Sequence, residues 1–284
     1  MNGQLSGNRL IDISKWADNK LSHREDREKK STIKWMLQSL LGVASTDVLI
    51  YPNRTFSESE ILSVHFAMKR LLNNEPIQYV LNESFFGGRL FQLNSSVLIP
   101  RPETEEWVQD ILPLITKQDV VLDLGTGSGC IAITMALDTE ASVIAMDLSE
   151  KALVVAQDNA KRLGANVSFV QQDMRSAKDW IEKATVVISN PPYVLESDKE
   201  EMQQQVLDFE PHMALFVPNE EPLLFYQSIV HQVRDFGSNC RMVVLETHEQ
   251  YAHQVSDLFD QEIWDGEVKK DLQKKDRVVI ATKK

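Results

Sequence analysis

Four residues in the middle of the chain carry the most chemistry: Asn190-Pro191-Pro192-Tyr193, placed directly after the apolar run Val186-Val187-Ile188-Ser189. Asn-Pro alone is a common turn starter, and a rigid turn is the plain alternative. The Asn190 side-chain oxygen and the Pro191 main-chain carbonyl can, however, each accept one N–H. Held that way, a planar nitrogen presents its delocalised lone pair to an electrophile, which is catalysis by orientation and polarisation. The two prolines carry no N–H and stiffen the loop. Tyr193 offers an aromatic surface for a planar group. No metal and no covalent nucleophile is needed. The chemistry suggested is transfer to an adenine or cytosine amino nitrogen, or to a glutamine side-chain amide.

A second group lies upstream. Asp123-Leu124-Gly125-Thr126-Gly127-Ser128-Gly129 joins an apolar run to a helical one. The spacing is G-x-G-x-G rather than the G-x-G-x-x-G of dinucleotide binders. A carboxylate at Asp123 repels a pyrophosphate but suits an ammonium group. S-adenosylmethionine (SAM) carries an ammonium and no phosphate, so the loop favours SAM over NAD. Asp147, at the end of the next apolar run, suits a ribose diol, and Asp173, after the third, suits an adenine amino group. Each aspartate alone is most simply a helix cap or a solvated turn. Together, at the carboxyl ends of three successive strands, they mark the edge where open α/β sheets bind ligands. The cofactor-binding set is Asp123, Gly125, Thr126, Gly127, Gly129, Asp147, Leu148, Asp173, Met174 and Asn190.

These groups need a scaffold, and the pattern from Asp119 onward supplies one. Strand-like runs at 119–124, 142–147, 166–170, 184–190, 240–246, 261–269 and 276–282 alternate with helical stretches at 128–137, 149–163, 176–182, 221–236 and 249–259. Alternation of this kind predicts βαβ units and a parallel sheet covered on both faces. Two strands in succession at the end predict a terminal antiparallel pair. The expected fold class is α/β: a class I SAM-dependent methyltransferase domain with a seven-stranded Rossmann-like sheet and an antiparallel last strand, over residues 100–284. Residues 1–73 read as a small helical bundle, with Gly42 as a stop and Ser57 with Glu60 as a capping box. Residues 74–99 read as a β-hairpin linker around Gly87-Gly88. The mixed-charge run His23–Lys30 is a solvated helix face.

Composition narrows the partners. The 284 residues contain 42 acidic and 30 basic side chains, a formal charge of −12. That argues against a nucleic-acid backbone as the main partner, because phosphate binding requires a Lys/Arg footprint. Cys130 and Cys240 belong to no C-x-x-C pair and read as reduced core thiols. No stretch reaches the roughly 18 apolar residues of a membrane span. The expectation is a cytoplasmic protein, monomeric by default, that binds neither membrane nor DNA.

The sequence resembles the HemK/PrmC family, the N5-glutamine methyltransferases of peptide chain release factors. The resemblance rests on Glu75-Pro-Ile-Gln-Tyr-Val80, Phe85-Phe86-Gly87, Val97-Leu-Ile-Pro-Arg-Pro-Glu-Thr-Glu105, the glycine loop, Asn190-Pro-Pro-Tyr193, Glu210-Pro-His-Met-Ala-Leu215, Glu246 with Gln250, and Asp271 with Asp276-Arg-Val-Val279. It implies methylation of the Gly-Gly-Gln glutamine in class I release factors. Asn190, Pro191, Pro192 and Tyr193 would grip the amide, and the helical domain would help to dock the protein substrate. Arg101 and Glu103 are candidates for the substrate entrance or for an interdomain ion pair. The resemblance suggests that Glu210-Pro211 braces the Asn190 loop. Phe216-Val-Pro-Asn-Glu220, Gly237-Ser-Asn239 and His248 depart from the family pattern. The competing activities are a glutamine methyltransferase acting on a ribosomal protein, a DNA adenine N6-methyltransferase and a non-catalytic SAM-binding protein.

Overall fold

The computed structural model describes Leu5 and residues 7–284. The chain forms two compact units, residues 1–82 and 83–284. In the first, α1 (Leu10–Lys20), α2 (Asp26–Leu41), a short α3 (Asp47–Ile50), α4 (Glu58–Leu72) and α5 (Ile77–Leu81) share one apolar core. Leu10, Ile13, Met36, Leu37, Val64, Met68 and Leu71 recur at helical spacing and are all buried there. Gly42 ends α2 in the left-handed conformation. Ser57 accepts from the Glu60 N–H while Glu60 accepts from the Ser57 N–H, the reciprocal cap at the start of α4.

The boundary of the hairpin differs from the expectation. Residues 77–81, read as part of a 74–99 hairpin, form α5. Pro76 starts that turn and Asn82 ends it in the left-handed region. The β-type residues Ile77 and Val80 are pulled into the helical core, which overrides their strand preference. The hairpin itself is shorter, β1 (Glu83–Phe86) and β2 (Arg89–Gln92), turning at Gly87-Gly88. It belongs to the larger unit: Phe86 and Phe91 meet edge to face at 6.2 Å inside that unit's core.

The larger unit continues with α6 (Pro102–Ile111), β3 (Val120–Leu124), α7 (Cys130–Asp138), β4 (Ser142–Asp147), α8 (Glu150–Leu163), β5 (Val167–Gln171), α9 (Lys178–Ile181) and β6 (Val186–Ser189). Then come β7 (Val194–Leu195), α10 (Gln204–Phe209), β8 (Phe216–Val217), α11 (Leu224–Phe236), β9 (Met242–Glu246), α12 (Ala252–Ser256), β10 (Trp264–Lys270) and β11 (Asp276–Lys283). Seven strands form one sheet in the order β10-β11-β9-β6-β3-β4-β5. Six run in one direction, and β11 is inserted antiparallel between β9 and β10. This is the class I methyltransferase architecture.

Alternate strand residues feed two cores. Val121, Val143, Val186 and Val244 face Trp107 of α6 and Ile131 of α7. Leu122, Met146, Val187 and Val243 face Tyr226, Ile229 and Val233 of α11. Burial on both faces explains why β6 and β9 are unbroken apolar runs. At the amino ends of the strands, Asp119 accepts from Arg241 (2.7 and 2.8 Å) and from the Thr185 hydroxyl (2.7 Å). The Arg241 guanidinium holds this carboxyl well below the usual range. Cys130 and Cys240 are buried free thiols. No helix among the described residues is long and apolar enough to cross a membrane.

The 249–259 helix is only α12, with turns on either side. The acidic stretch after Tyr193 folds as a 3-10 turn over Glu196–Glu201. Beyond it, β7 pairs in parallel with β8. Two-residue strands carry too little periodicity to be read from sequence.

Candidate active site

After leaving β3, the chain passes to β4 and β5 on one side, then returns to β6 on the other. The cleft at the carboxyl ends of β3 and β6 is therefore the topological switch point. A cavity of about 360 Å³ opens there. Its floor is the glycine loop. The Gly125 and Thr126 N–H groups donate to the Met146 carbonyl at 2.8 and 2.9 Å, which ties the loop to β4. Gly125 has φ +78°, and a Cβ on it would stand 2.8 Å from Met174 Cε. Gly129 has φ +81°, and a Cβ there would stand 2.9 Å from Ile133 Cδ1 and 3.1 Å from Ala156 Cβ. Only glycine satisfies both the backbone angle and the clearance.

Three carboxylates surround this loop in different ways. Asp147 lines the cavity and accepts from Gly127 N and Ser149 N, both at 2.9 Å. Burial pushes its pKa up. Asp173 lines the cavity from the end of β5, held by Arg175, which keeps its pKa low. Asp123 lies beneath the loop, fully buried and outside the cavity lining. Its Oδ2 accepts from Thr126 Oγ1 at 2.7 Å, while Oδ1 has no hydrogen-bond partner among the described residues. Burial pushes its pKa up to about 7. Asp123, read from the sequence as part of the cofactor-binding set, is thus placed under the loop rather than in the cavity wall.

The structure brings Gly125, Gly127, Asp147, Leu148, Asp173, Met174, Asn190 and Pro192 to one cavity. Thr126 and Gly129 are buried supports rather than wall. Pro191 is buried beside them. Tyr193 lies outside the cavity lining: its ring sits 6.3 Å from that of His248, and its hydroxyl donates to Glu246 Oε1 at 3.2 Å. Arg101 pairs with Glu210 at 2.7 Å, within the larger unit. It is thus not an interdomain pair, and it does not line the cavity. Glu103 accepts from Gln273 Nε2 at 3.3 Å, also away from the cavity. Glu210 braces the segment before α6, accepting from Ile99 N as well as Arg101, rather than the Asn190 loop. Phe85 is exposed.

A model of the family described as "Methyltransferase domain" matches residues 115–280, and one described as "PrmC N-terminal domain" matches residues 12–81. A protein of Bacteroides thetaiotaomicron named release factor glutamine methyltransferase is 39% identical over 248 residues, 86% of this chain and 89% of its own. One of the same name from Flavobacterium psychrophilum is 33% identical over 90% of this chain and 92% of its own. The Bacillus subtilis protein of that name is 33% identical over 96% of this chain and 97% of its own. The chain belongs to the release factor glutamine methyltransferase family. It is a SAM-dependent methyltransferase.

The cavity of this methyltransferase fits SAM on its own terms. A loop open to close backbone approach, a buried carboxylate without a counter-cation below it, and the exposed apolar side chain of Leu148 at the rim match a cationic nucleoside. Two further wall segments are Ser96-Val97-Leu98 and Pro211 with Met213-Ala214; all but Ser96 stand in runs quoted above for the family resemblance, which assigned them no place in the cofactor site. Glu210 ties the two segments to each other by accepting from Ile99 N, a contact 111 residues apart. Asn159 was also missed. It donates to Ser128 O at 3.0 Å and exchanges hydrogen bonds with the Gln92 backbone, joining the hairpin to the glycine loop.

Glu246, quoted above only as part of the resemblance, is a buried centre of the site. It accepts from Thr104 Oγ1 (2.5 Å) and Trp107 Nε1 (2.8 Å) on one oxygen and from Tyr193 on the other. Burial pushes its pKa up, opposed by these donors and by Arg277.

Proposed function

We propose that this chain transfers the methyl group of SAM to the side-chain amide nitrogen (N5) of the glutamine in the Gly-Gly-Gln motif of class I peptide chain release factors. The observation that carries the reading is Asn190 with Pro192 in the wall of the cavity whose floor is the glycine loop. The names of the relatives point to the same substrate. Gly125, Gly127, Asp147, Leu148, Asp173 and Met174 would hold the cofactor. When bound, SAM supplies an electrophilic methyl group on a sulfonium.

The rest belongs to the protein's own side chains. Asn190 Oδ1 and the Pro191 carbonyl accept the two N–H bonds of the glutamine amide. That fixes the plane of the amide and draws electron density toward its nitrogen. Pro191 and Pro192 keep the acceptors in place without competing donors. Tyr193 anchors the loop through Glu246, and its buried hydroxyl titrates well above its ordinary value. The helical unit of residues 1–82 serves to dock the protein substrate, supported by the match of residues 12–81 to the family's N-terminal domain.

The test is a parallel incubation of the full chain and labelled SAM with a class I release factor, ribosomal protein and duplex DNA. Label is expected on the release factor alone. Label on ribosomal protein or DNA with none on the release factor would overturn the reading.

A further inference from the structure

An amide side chain can lie either way round, and only one of the two presents an oxygen to the substrate. In this site the choice is made by a chain of three groups. Glu246 is 1% exposed and Thr104 3% exposed, so water does not compete for either. Trp107 Nε1 and Thr104 Oγ1 both point at Glu246 Oε2, at 2.8 and 2.5 Å. Thr104, Trp107 and Tyr193 all donate to Glu246, which is how an ionised carboxylate is satisfied; such a group has no proton to give, so the Thr104 hydroxyl hydrogen is committed to it. What Thr104 turns toward Asn190 is therefore a lone pair. It can accept from Asn190 Nδ2, 3.2 Å away, and cannot donate to Oδ1. The reversed amide would set its oxygen against the oxygen of a Thr104 hydroxyl that is 3% exposed, or would strip Glu246 of a donor it needs.

We infer that Thr104 and Glu246 are positioning residues that fix the Asn190 amide with its nitrogen turned inward, leaving Oδ1 free to accept the substrate N–H. The inference rests on the proposed role of Asn190 as an acceptor for the glutamine amide. Thr104 lies on the first turn of α6, Asn190 follows β6 and Glu246 ends β9. One hydroxyl thus ties together elements 86 and 142 residues apart. Glu246 also accepts from Tyr193, so the same carboxylate sets both ends of the Asn190–Tyr193 loop.

The experiment compares Thr104→Val, Thr104→Ser, Glu246→Gln and Glu246→Met in the full chain. Valine keeps the shape of threonine but removes the relay. Its kcat on release factor is expected to fall about 10- to 100-fold, the scale of a misplaced reacting group. The KM for release factor and the Kd for SAM should stay within about threefold, because Thr104 is buried and outside the cavity lining. Serine restores the hydroxyl and should recover kcat to within about threefold of the original. Glu246→Gln still offers an oxygen and should retain most activity; Glu246→Met should resemble Thr104→Val. A readout that needs no substrate runs alongside: the side-chain NH2 resonances of 15N-labelled Asn190, assigned by their loss in Asn190→Asp. They should shift in Thr104→Val and return in Thr104→Ser. Unchanged kcat in Thr104→Val, or a serine variant as slow as valine, overturns the inference. If the original chain leaves release factor unlabelled, the Asn190 acceptor role fails while the NH2 shifts still decide the orientation.

Discussion

Replacing Asn190 by alanine is expected to lower kcat on release factor by about 10²- to 10³-fold, the loss seen when one preorganised polar group is taken from a transition state. The affinity for SAM should change by no more than about threefold, since the floor and the carboxylate walls remain. The physical reason is that an amide nitrogen is nucleophilic only when its lone pair is aimed. In the proposed reaction two acceptors, Asn190 Oδ1 and the Pro191 carbonyl, aim it, and alanine would leave one. Asn190→Asp should be nearly as poor. A carboxylate keeps the oxygen but has no N–H for Thr104, whose lone pair lies 3.2 Å away. The measurement is steady-state kinetics on release factor together with calorimetric SAM binding. Lost SAM affinity with undiminished turnover of the bound enzyme would show that Asn190 serves the cofactor and not the acceptor.

The second large effect concerns pH. Asp123 is fully buried and its pKa is pushed up to about 7, chiefly by burial, against the pull of the Thr126 hydroxyl. Its ordinary value is 3.8. Between those two values the folded chain holds a proton that the unfolded chain has lost. This group's contribution to stability therefore falls as pH rises from about 4 to about 7. Above that window the ionised buried carboxylate costs on the order of 4 kcal/mol. A cation over the glycine loop reverses the preference, because it favours the charged carboxylate. SAM should thus bind about tenfold more tightly at pH 7 than at pH 5.5, with release of a proton. The α-amino group of SAM, with an ordinary pKa of about 7.7–8.0, stays charged across this range. Calorimetry in buffers of different ionisation enthalpy counts the proton, and Asp123→Asn should flatten the profile. A profile equally steep in Asp123→Asn would assign the titration to another group, Asp147 being the nearest raised carboxyl.

Much of the site was legible because its parts are local. The glycine loop, the aspartates after β4 and β5, and Asn190 after β6 follow from strand ends in a parallel sheet, and strand ends show in sequence as apolar runs that stop. The roles of particular atoms were less legible. Asp123 and Asp147 look alike in sequence, yet one lies under the loop and the other in the cavity wall. Tyr193 reads as a cover for a planar group, but its hydroxyl turns to Glu246. Thr104, Glu246 and Glu210 act through contacts 53 to 142 residues apart, which no spacing rule reaches. The helix at 77–81 falls inside the 74–99 segment that reads as a hairpin linker, because β-branched residues fit either setting and tertiary packing decides between them.

The most direct test of the proposed reaction is to locate the methyl group. Release factor incubated with this chain and SAM is digested, and the peptide carrying Gly-Gly-Gln is sequenced by mass spectrometry. One methyl group on the glutamine side chain, and none on a release factor whose Gly-Gly-Gln glutamine is replaced by alanine, is the expected result. A methyl group elsewhere on the protein, or undiminished labelling of the alanine variant, would contradict it.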